Sequence, residues 1–264
     1  MEKPAFEQLM QSVLTKLKDA IAIENGDWLM RGLIDIRNRV FPIPSDTKVI
    51  SKAIELAIVP VLAESLAQSE LKVEIAKHQN YYPDVTLKHV PTDTLFAVDI
   101  KTTYRSEDGK VSGITLGTYT GYFRERESTK NICYPYNRYR GHYVLGVIYS
   151  RLEVPDSQKR VYALDDLEQI PPLIGDIQVF FQEKYKIASD KPGSGNTSNI
   201  GSVSKLQELI SGEGPFAKLG ETVFDDYWMN YETNDMARRA GRTAPRYTNL
   251  EAYKKWKEEL GEQE

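Results

Sequence analysis

Two carboxylates and an amine stand out by type and spacing. Pro83-Asp84 is followed by Asp99-Ile100-Lys101. In an extended strand alternate side chains share a face, so Asp99 and Lys101 point one way while Val98 and Ile100 point into a core. Hard carboxylate oxygens suit Mg²⁺, which keeps several waters and takes phosphate oxygens as further ligands. Such an ion neutralises charge growing at phosphorus and lowers the pKa of a bound water. Lys101 could position or deprotonate that water if burial and charge depress its own pKa. The chemistry indicated is metal-assisted phosphodiester hydrolysis. Asp-x-Lys is a short pattern, and the bland alternative is an exposed strand edge with a surface ion pair. Two details favour a site. The polar pair interrupts an apolar strand, LFAVDIKTTY at 95–104, on one face only, and Asp84 falls at a strand start at hairpin distance.

A second set lies at Gly193-Ser194-Gly195-Asn196-Thr197-Ser198-Asn199. Glycines allow close backbone approach to another molecule. An asparagine amide donates and accepts at once, which matches the major-groove edge of adenine, and a threonine methyl can pack on thymine. A flexible linker or a phosphate nest would use the same residues. The order GxxxxGK[ST] is absent, so a P-loop is not supported.

The elements that must position these groups can be read from periodicity. Phe6, Leu9, Met10, Val13, Leu14, Leu17 and Ile21 repeat at helical spacing over 5–22, a stripe suited to the core or to a partner subunit. Residues 24–44 look irregular. Ser45 and Asp46 are good N-caps for a second helix, which Pro60 should kink or end; Glu55 lies inside it. Strands are expected at 71–75, 85–87, 95–104, 113–120, 143–151 and 176–183, and helices near 164–169, 203–211 and 249–260. Residues 188–202 read as one long loop. The fold class expected is mixed α/β, with a central, mainly antiparallel sheet flanked by helices.

Composition sets outer bounds. The chain has 264 residues, 41% of them hydrophobic, enough for one domain with attachments or two small ones. No apolar run approaches membrane-spanning length. The start, Met1-Glu2-Lys3-Pro4, lacks the basic opening and apolar block of a secretory signal, and the single Cys133 suits a reducing cytoplasm, so a cytoplasmic protein is expected. His78, His89 and His142 are too scattered for a zinc site. Net charge is −4, yet Arg124, Arg126, Lys130, Arg138 and Arg140, and a second group from Arg238 to Lys257, could form local basic surfaces that meet phosphates.

Seven blocks in order carry a resemblance: SDTKVIS at 45–51, NYYPDVTL at 80–87, VDIKTTY at 98–104, TLGTYT at 115–120, TKNICYP at 129–135, GSGNTSNIGS at 193–202 and DYWMNYE at 226–232. They resemble the EcoRV-type type II restriction endonucleases of the PD-(D/E)xK superfamily. The resemblance implies a restriction-endonuclease-like core in a U-shaped homodimer that clasps and bends duplex DNA and cuts both strands with Mg²⁺. It implies the palindrome GATATC, cut to blunt ends with 5′-phosphates, each subunit reading one half-site.

By the same resemblance Asp84, Asp99 and Lys101 fall on catalytic positions, with the two aspartates as metal ligands. Glu55 falls on a further acid whose role as ligand is less settled. The 193–199 loop falls on the major-groove recognition loop, which makes Gly193, Ser194, Gly195, Asn196, Thr197 and Asn199 candidate DNA-binding residues. Asn80 falls on a minor-groove loop and Lys130 on a backbone-contacting lysine. Three parts follow: 1–44 for the N-terminal helix and dimerisation, 45–190 for the catalytic core, and 191–264 for the recognition loop and C-terminal DNA-binding region. Departures are Met229 and Thr233 where the family has arginines, and the inserted Glu125–Ser128; Arg238, Arg239 and Arg242 are nearby substitutes. A structure-specific or repair nuclease, and a catalytically silent DNA-binding protein, are the competing readings.

Overall fold

The computed structural model describes residues 1–106, 109–153, 160–193 and 198–261. Helix α1 (Lys3–Asp19) leads to strands β1 (Gly32–Ile34) and β2 (Arg39–Pro42), then to α2 (Thr47–Leu66). Next come β3 (Leu71–Ile75), β4 (Val85–His89), β5 (Thr94–Tyr104), β6 (Thr115–Thr118), β7 (Tyr139–Arg151), β8 (Tyr162–Ala163) and β9 (Ile174–Glu183). The chain ends with α3 (Lys184–Ile187), β10 (Ala188–Pro192), β11 (Asn199–Ser202), α4 (Leu206–Ser211), α5 (Glu221–Asn230), α6 (Asn234–Arg239) and α7 (Leu250–Gly261).

Five strands form the central sheet in the order β3-β4-β5-β7-β9. Its β5–β7 pair is parallel and the other three pairs are antiparallel, so the mixed, mainly antiparallel expectation holds. Each face has its own core. On one side α1 and α2 pack Phe6, Met10, Ile54 and Ile58 against Phe96, Val98, Ile100 and Leu145. On the other, Ala97, Val144 and Phe180 meet Tyr119, Phe123, Tyr227 and Trp228 from the later elements. Two small sheets flank this body, β1-β2-β8 and β10-β11-β6.

The stripe of α1 buries Phe6, Met10, Val13 and Leu17 on the protein's own core. Asp46 caps α2 as expected, accepting from the Lys48 and Val49 N–H groups. Pro60 does not end that helix, which runs on to Leu66. Pro60 is exposed and Leu56, one turn back, is 62% exposed, so the interrupted hydrogen bond lies on the solvated face while Ile54, Ile58, Leu62 and Leu66 stay buried.

Three other expectations are revised. Residues 24–44 contain the β1–β2 hairpin, and residues 164–169 wind as a 3₁₀ helix. Residues 188–202 are the arms β10 and β11 of a hairpin, closed by the Gly193 N–H donating to the Asn199 carbonyl at 2.9 Å. Polar, glycine-rich sequence hid these strands because pairing, with only Ile200 and Gly201 of β11 buried, sets their conformation. Helices α5 and α6 carried no periodicity strong enough to be read.

Phe6 ties the first core together. Its ring stacks on Phe96 at 3.8 Å and meets Tyr143 and Phe181 at 5.1 and 5.9 Å. Phe6→Ala should cost about 3–5 kcal/mol, read as a lower midpoint in urea; a midpoint within error of wild type would show that α1 is not anchored there.

Candidate active site

The register of β4 on β5 pairs Val85 with Val98, which brings the preceding Asp84 opposite Asp99. The chain entering β4 is tied from the side: the Tyr82 N–H donates to the Asn131 carbonyl at 3.1 Å, and the Cys133 N–H to the Tyr82 carbonyl at 2.8 Å. Asp84 Oδ2 accepts from the Ile100 N–H at 2.7 Å, and the Asp84 N–H points at Asp99 Oδ1 at 3.4 Å. Lys101 Nζ lies 2.7 Å from Asp99 Oδ2 and 3.5 Å from Asp84 Oδ2. Asp84, Asp99 and Lys101 therefore converge, two strand positions and one strand entrance meeting at one point.

Asp99 and Lys101 do not face open solvent as the alternation suggested. Asp99 is only 6% exposed, because the second core covers that face of the sheet as well. Asp84 and Lys101 keep about a quarter of their side-chain surface, 27% and 25%, so the cluster opens to water on one side.

Burial raises the Asp84 pKa to about 6, and the nearby Asp99 charge adds to the rise; Lys101 and the Ile100 N–H pull against it, and Glu55 adds a smaller push. Lys101 behaves opposite to the expectation of a depressed amine. Burial works to lower its pKa, but the charges of Asp99 and Asp84 outweigh it and hold the ammonium protonated. In this state Lys101 is a donor and a charge, not a base.

The two carboxylates fit a hard divalent cation: paired oxygens, raised proton affinity at Asp84 and an open side for waters and a phosphate. Glu55 is not brought into that pair. It sits on α2 in an ion pair with Lys52 at 2.6 Å and reaches Asp84 only through its charge. Among the described residues no group of three or more His, Cys, Asp or Glu side chains is placed to hold a metal ion.

The expected DNA-binding residues fall in two places. Asn80 donates from its amide to Asn131 Oδ1 at 3.3 Å, so its loop touches the one carrying the exposed Lys130. Gly193 and Asn199 form the neck of the β10–β11 hairpin, with Asn199 paired to Thr118 of β6. Ser194, Gly195, Asn196 and Thr197 lie outside the described residues. Thr233, at one of the departures, N-caps α6. Sequence reasoning missed the floor of the site, where Tyr82, Tyr122 and Lys184 are buried. The one available signal was strand parity, since Lys184 continues the inward face of Phe180 just past the end of β9.

Comparison with known proteins defines the class first: this is a type II restriction endonuclease, a site-specific deoxyribonuclease. The family model "Restriction endonuclease EcoRV" matches residues 24–258. The type II restriction enzyme EcoRV of Escherichia coli is 36% identical over 247 residues, covering 93% of this chain and 97% of the relative. The chain belongs to the EcoRV restriction endonuclease family. Among solved structures the NlaIV restriction endonuclease aligns over 88% of this chain and 89% of its own, at 13% identity and a TM-score of 0.39, a likeness too slight to add to the assignment.

The Asp84 shift has a sign that can be measured on the metal-free protein. Its folded pKa, about 6, lies above the ordinary 3.8. The folded state binds the extra proton, so this group's contribution is lost as pH rises from about 4 through about 6. Asp84→Asn should remove that loss and raise the melting temperature at pH 8, by about 1–3 kcal/mol of stability. A lower melting temperature than wild type at pH 8 would show that the carboxylate is paid for within the cluster.

Proposed function

We propose that this chain cuts duplex DNA in a Mg²⁺-dependent reaction at the palindrome GATATC, leaving blunt ends with 5′-phosphates, and that it does so as a homodimer. The observation that carries the chemistry is the convergence of Asp84, Asp99 and Lys101 at the end of the β4–β5 hairpin. Asp84 and Asp99 would hold the cation, which when bound supplies charge neutralisation at phosphorus and a water of lowered pKa. Lys101, kept as an ammonium by its two carboxylates, donates toward a phosphate oxygen and offsets the charge that grows there. The Ile100 N–H, donating to Oδ2, restrains the Asp84 carboxylate. Water adds to phosphorus and gives up a proton to solvent, the P–O3′ bond breaks, and the 3′-oxygen takes a proton from solvent and leaves as a hydroxyl. Glu55, ion-paired with Lys52, acts on Asp84 through its charge, which adds to the pull of the site on a cation.

Reading of the sequence is assigned to the 193–199 loop, borne on β10 and β11, with Asn80 and Lys130 on two touching loops close to Tyr82. The homodimer reading rests on palindromic symmetry and on surface chemistry. The β1-β2-β8 sheet and its flanks expose Leu33 and Ile34 (both 56%), Ile36 (100%), Phe41 and Val161, a cluster of apolar side chains that a second copy would cover. On this reading 1–44 is the N-terminal helix and dimerisation segment, 45–190 the catalytic core, and 191–264 the recognition loop and C-terminal DNA-binding region. No described helix is long and apolar enough to cross a membrane, and the reading puts the enzyme in a bacterial cytoplasm.

The test is a plasmid with one GATATC site. It should be linearised with Mg²⁺ and left intact with EDTA, and sequencing of the ends should give blunt 5′-phosphates. Asp99→Ala and Lys101→Ala should each lower the rate by about 10³-fold or more; either variant cutting at the wild-type rate would remove that residue from the mechanism. In light scattering the protein should have the mass of two chains, and Leu33→Glu with Ile36→Glu should halve it. A wild-type monomer that still linearises the plasmid would overturn the dimer.

A further inference from the structure

Lys184 is the buried charge that the chemistry above does not use. It opens α3, directly after β9, and is 2% exposed. Its Nζ has no hydrogen-bond partner among the described residues. The ammonium sits instead among three rings, 5.1 Å from the Tyr82 centroid, 5.5 Å from Phe123 and 5.7 Å from Tyr136. The fourth wall is Gly117 of β6. A Cβ there would stand 3.5 Å from Lys184 Nζ and 3.2 Å from the Tyr122 hydroxyl, so amine and phenol lie side by side. Tyr82 is two residues before Asp84. Burial raises the pKa of Tyr122, and the Asp99 and Asp84 charges push it further. Burial lowers the pKa of Lys184 to about 8; the charges of Asp99 and Asp225 favour its ammonium form, and Arg126 and Lys101 oppose it. Asp99 therefore feels both Tyr122 and Lys184 through a weakly screening interior.

An ammonium with no acceptor is costly to bury, and neutral side chains of the same length exist. Its effect on the site follows from Coulomb's law in a poorly screening interior. A positive charge beside Asp99 lowers the affinity of the site for any cation, and for a doubly charged one more than for a proton. With Lys101 and Lys184 both charged, part of the negative charge of the pair is offset before a metal arrives. A phosphate anion entering from the open side reverses that balance.

We propose that Lys184 is a positioning residue of the Asp84–Asp99 site, a positive charge in its floor that weakens the hold of the carboxylates on a divalent cation until a DNA phosphate is present. The inference rests on the reading of Asp84 and Asp99 as cation ligands. It is tested on the full-length protein without DNA, using Ca²⁺ alone as the probe, by titration calorimetry. Lys184→Met keeps the length of the stem and removes the charge; Lys184→Gln does the same with a polar end. Both should bind Ca²⁺ at least about threefold more tightly than wild type, and the advantage should shrink when a GATATC duplex is present.

Binding unchanged or weakened in both variants would overturn the inference alone. Wild-type binding that survives Asp99→Asn would overturn the carboxylate reading beneath it, and no detectable binding by any of the proteins would count against both. If both Lys184 variants lose the native circular-dichroism spectrum, the amine is a structural element of the aromatic cage and the proposal fails.

Discussion

Two carboxylates brought together across paired strands are the constraint on which this structure turns. The β4–β5 register puts Asp84 opposite Asp99, and nothing in the pairing itself relieves their repulsion. Relief comes from the Ile100 N–H, whose proton points at Asp84, and from the Lys101 amine, which reaches both oxygens. The arrangement is held in tension by its surroundings. Asp84 is left with a proton affinity far above that of a free aspartate, and Lys101 with one that keeps it charged. A cluster poised in this way accepts a hard cation readily once the amine has a phosphate to turn to.

The strand that carries Asp99 and Lys101 is gripped on both faces. Phe96, Val98 and Ile100 belong to the core beneath α1 and α2, while Leu95 and Ala97 belong to the aromatic core on the other side. Strand β7 runs parallel along its far edge, pairing from Leu95 to Tyr104. A strand packed on both faces and paired along both edges holds its side chains in place, as positioned chemistry requires.

Much of this was legible in the order of residues. Alternation over 95–104 gave a strand, and the apolar stripes of α1 and α2 gave their helices and their buried faces. Asp84, Asp99 and Lys101 were found as a set because period-two geometry and the hairpin distance are both local properties. What stayed hidden is non-local. The burial of Asp99 depends on a core that later elements complete, since Ala97 on the same face of β5 belongs to the aromatic cluster. The protonated state of Lys101 depends on a balance between burial and two charges that no spacing reveals. Strands β10 and β11 have the composition of a loop, and pairing alone makes them strands. Lys184 sits in QEKYK, a stretch that reads as surface until its aromatic walls are in place.

The C-terminal helices show how such a protein can change its preferences. The Tyr227 hydroxyl donates to the Asp190 carbonyl at 2.6 Å, and the Leu250 N–H to the Asp190 carboxylate at 3.0 Å, so α5 and α7 strap β10 in place. That strap belongs to the aromatic core, whereas the opposite face of the catalytic strand leans on the aliphatic core under α1 and α2. Tyr247 and Tyr253 pack their rings on Tyr227, and Trp256 on Tyr247, so substitutions there act on the hairpin arm through Tyr227. The arm that carries the recognition loop and the face of β5 that carries Asp99 thus rest on one shared interior, so a change that loosens the strap is transmitted toward both.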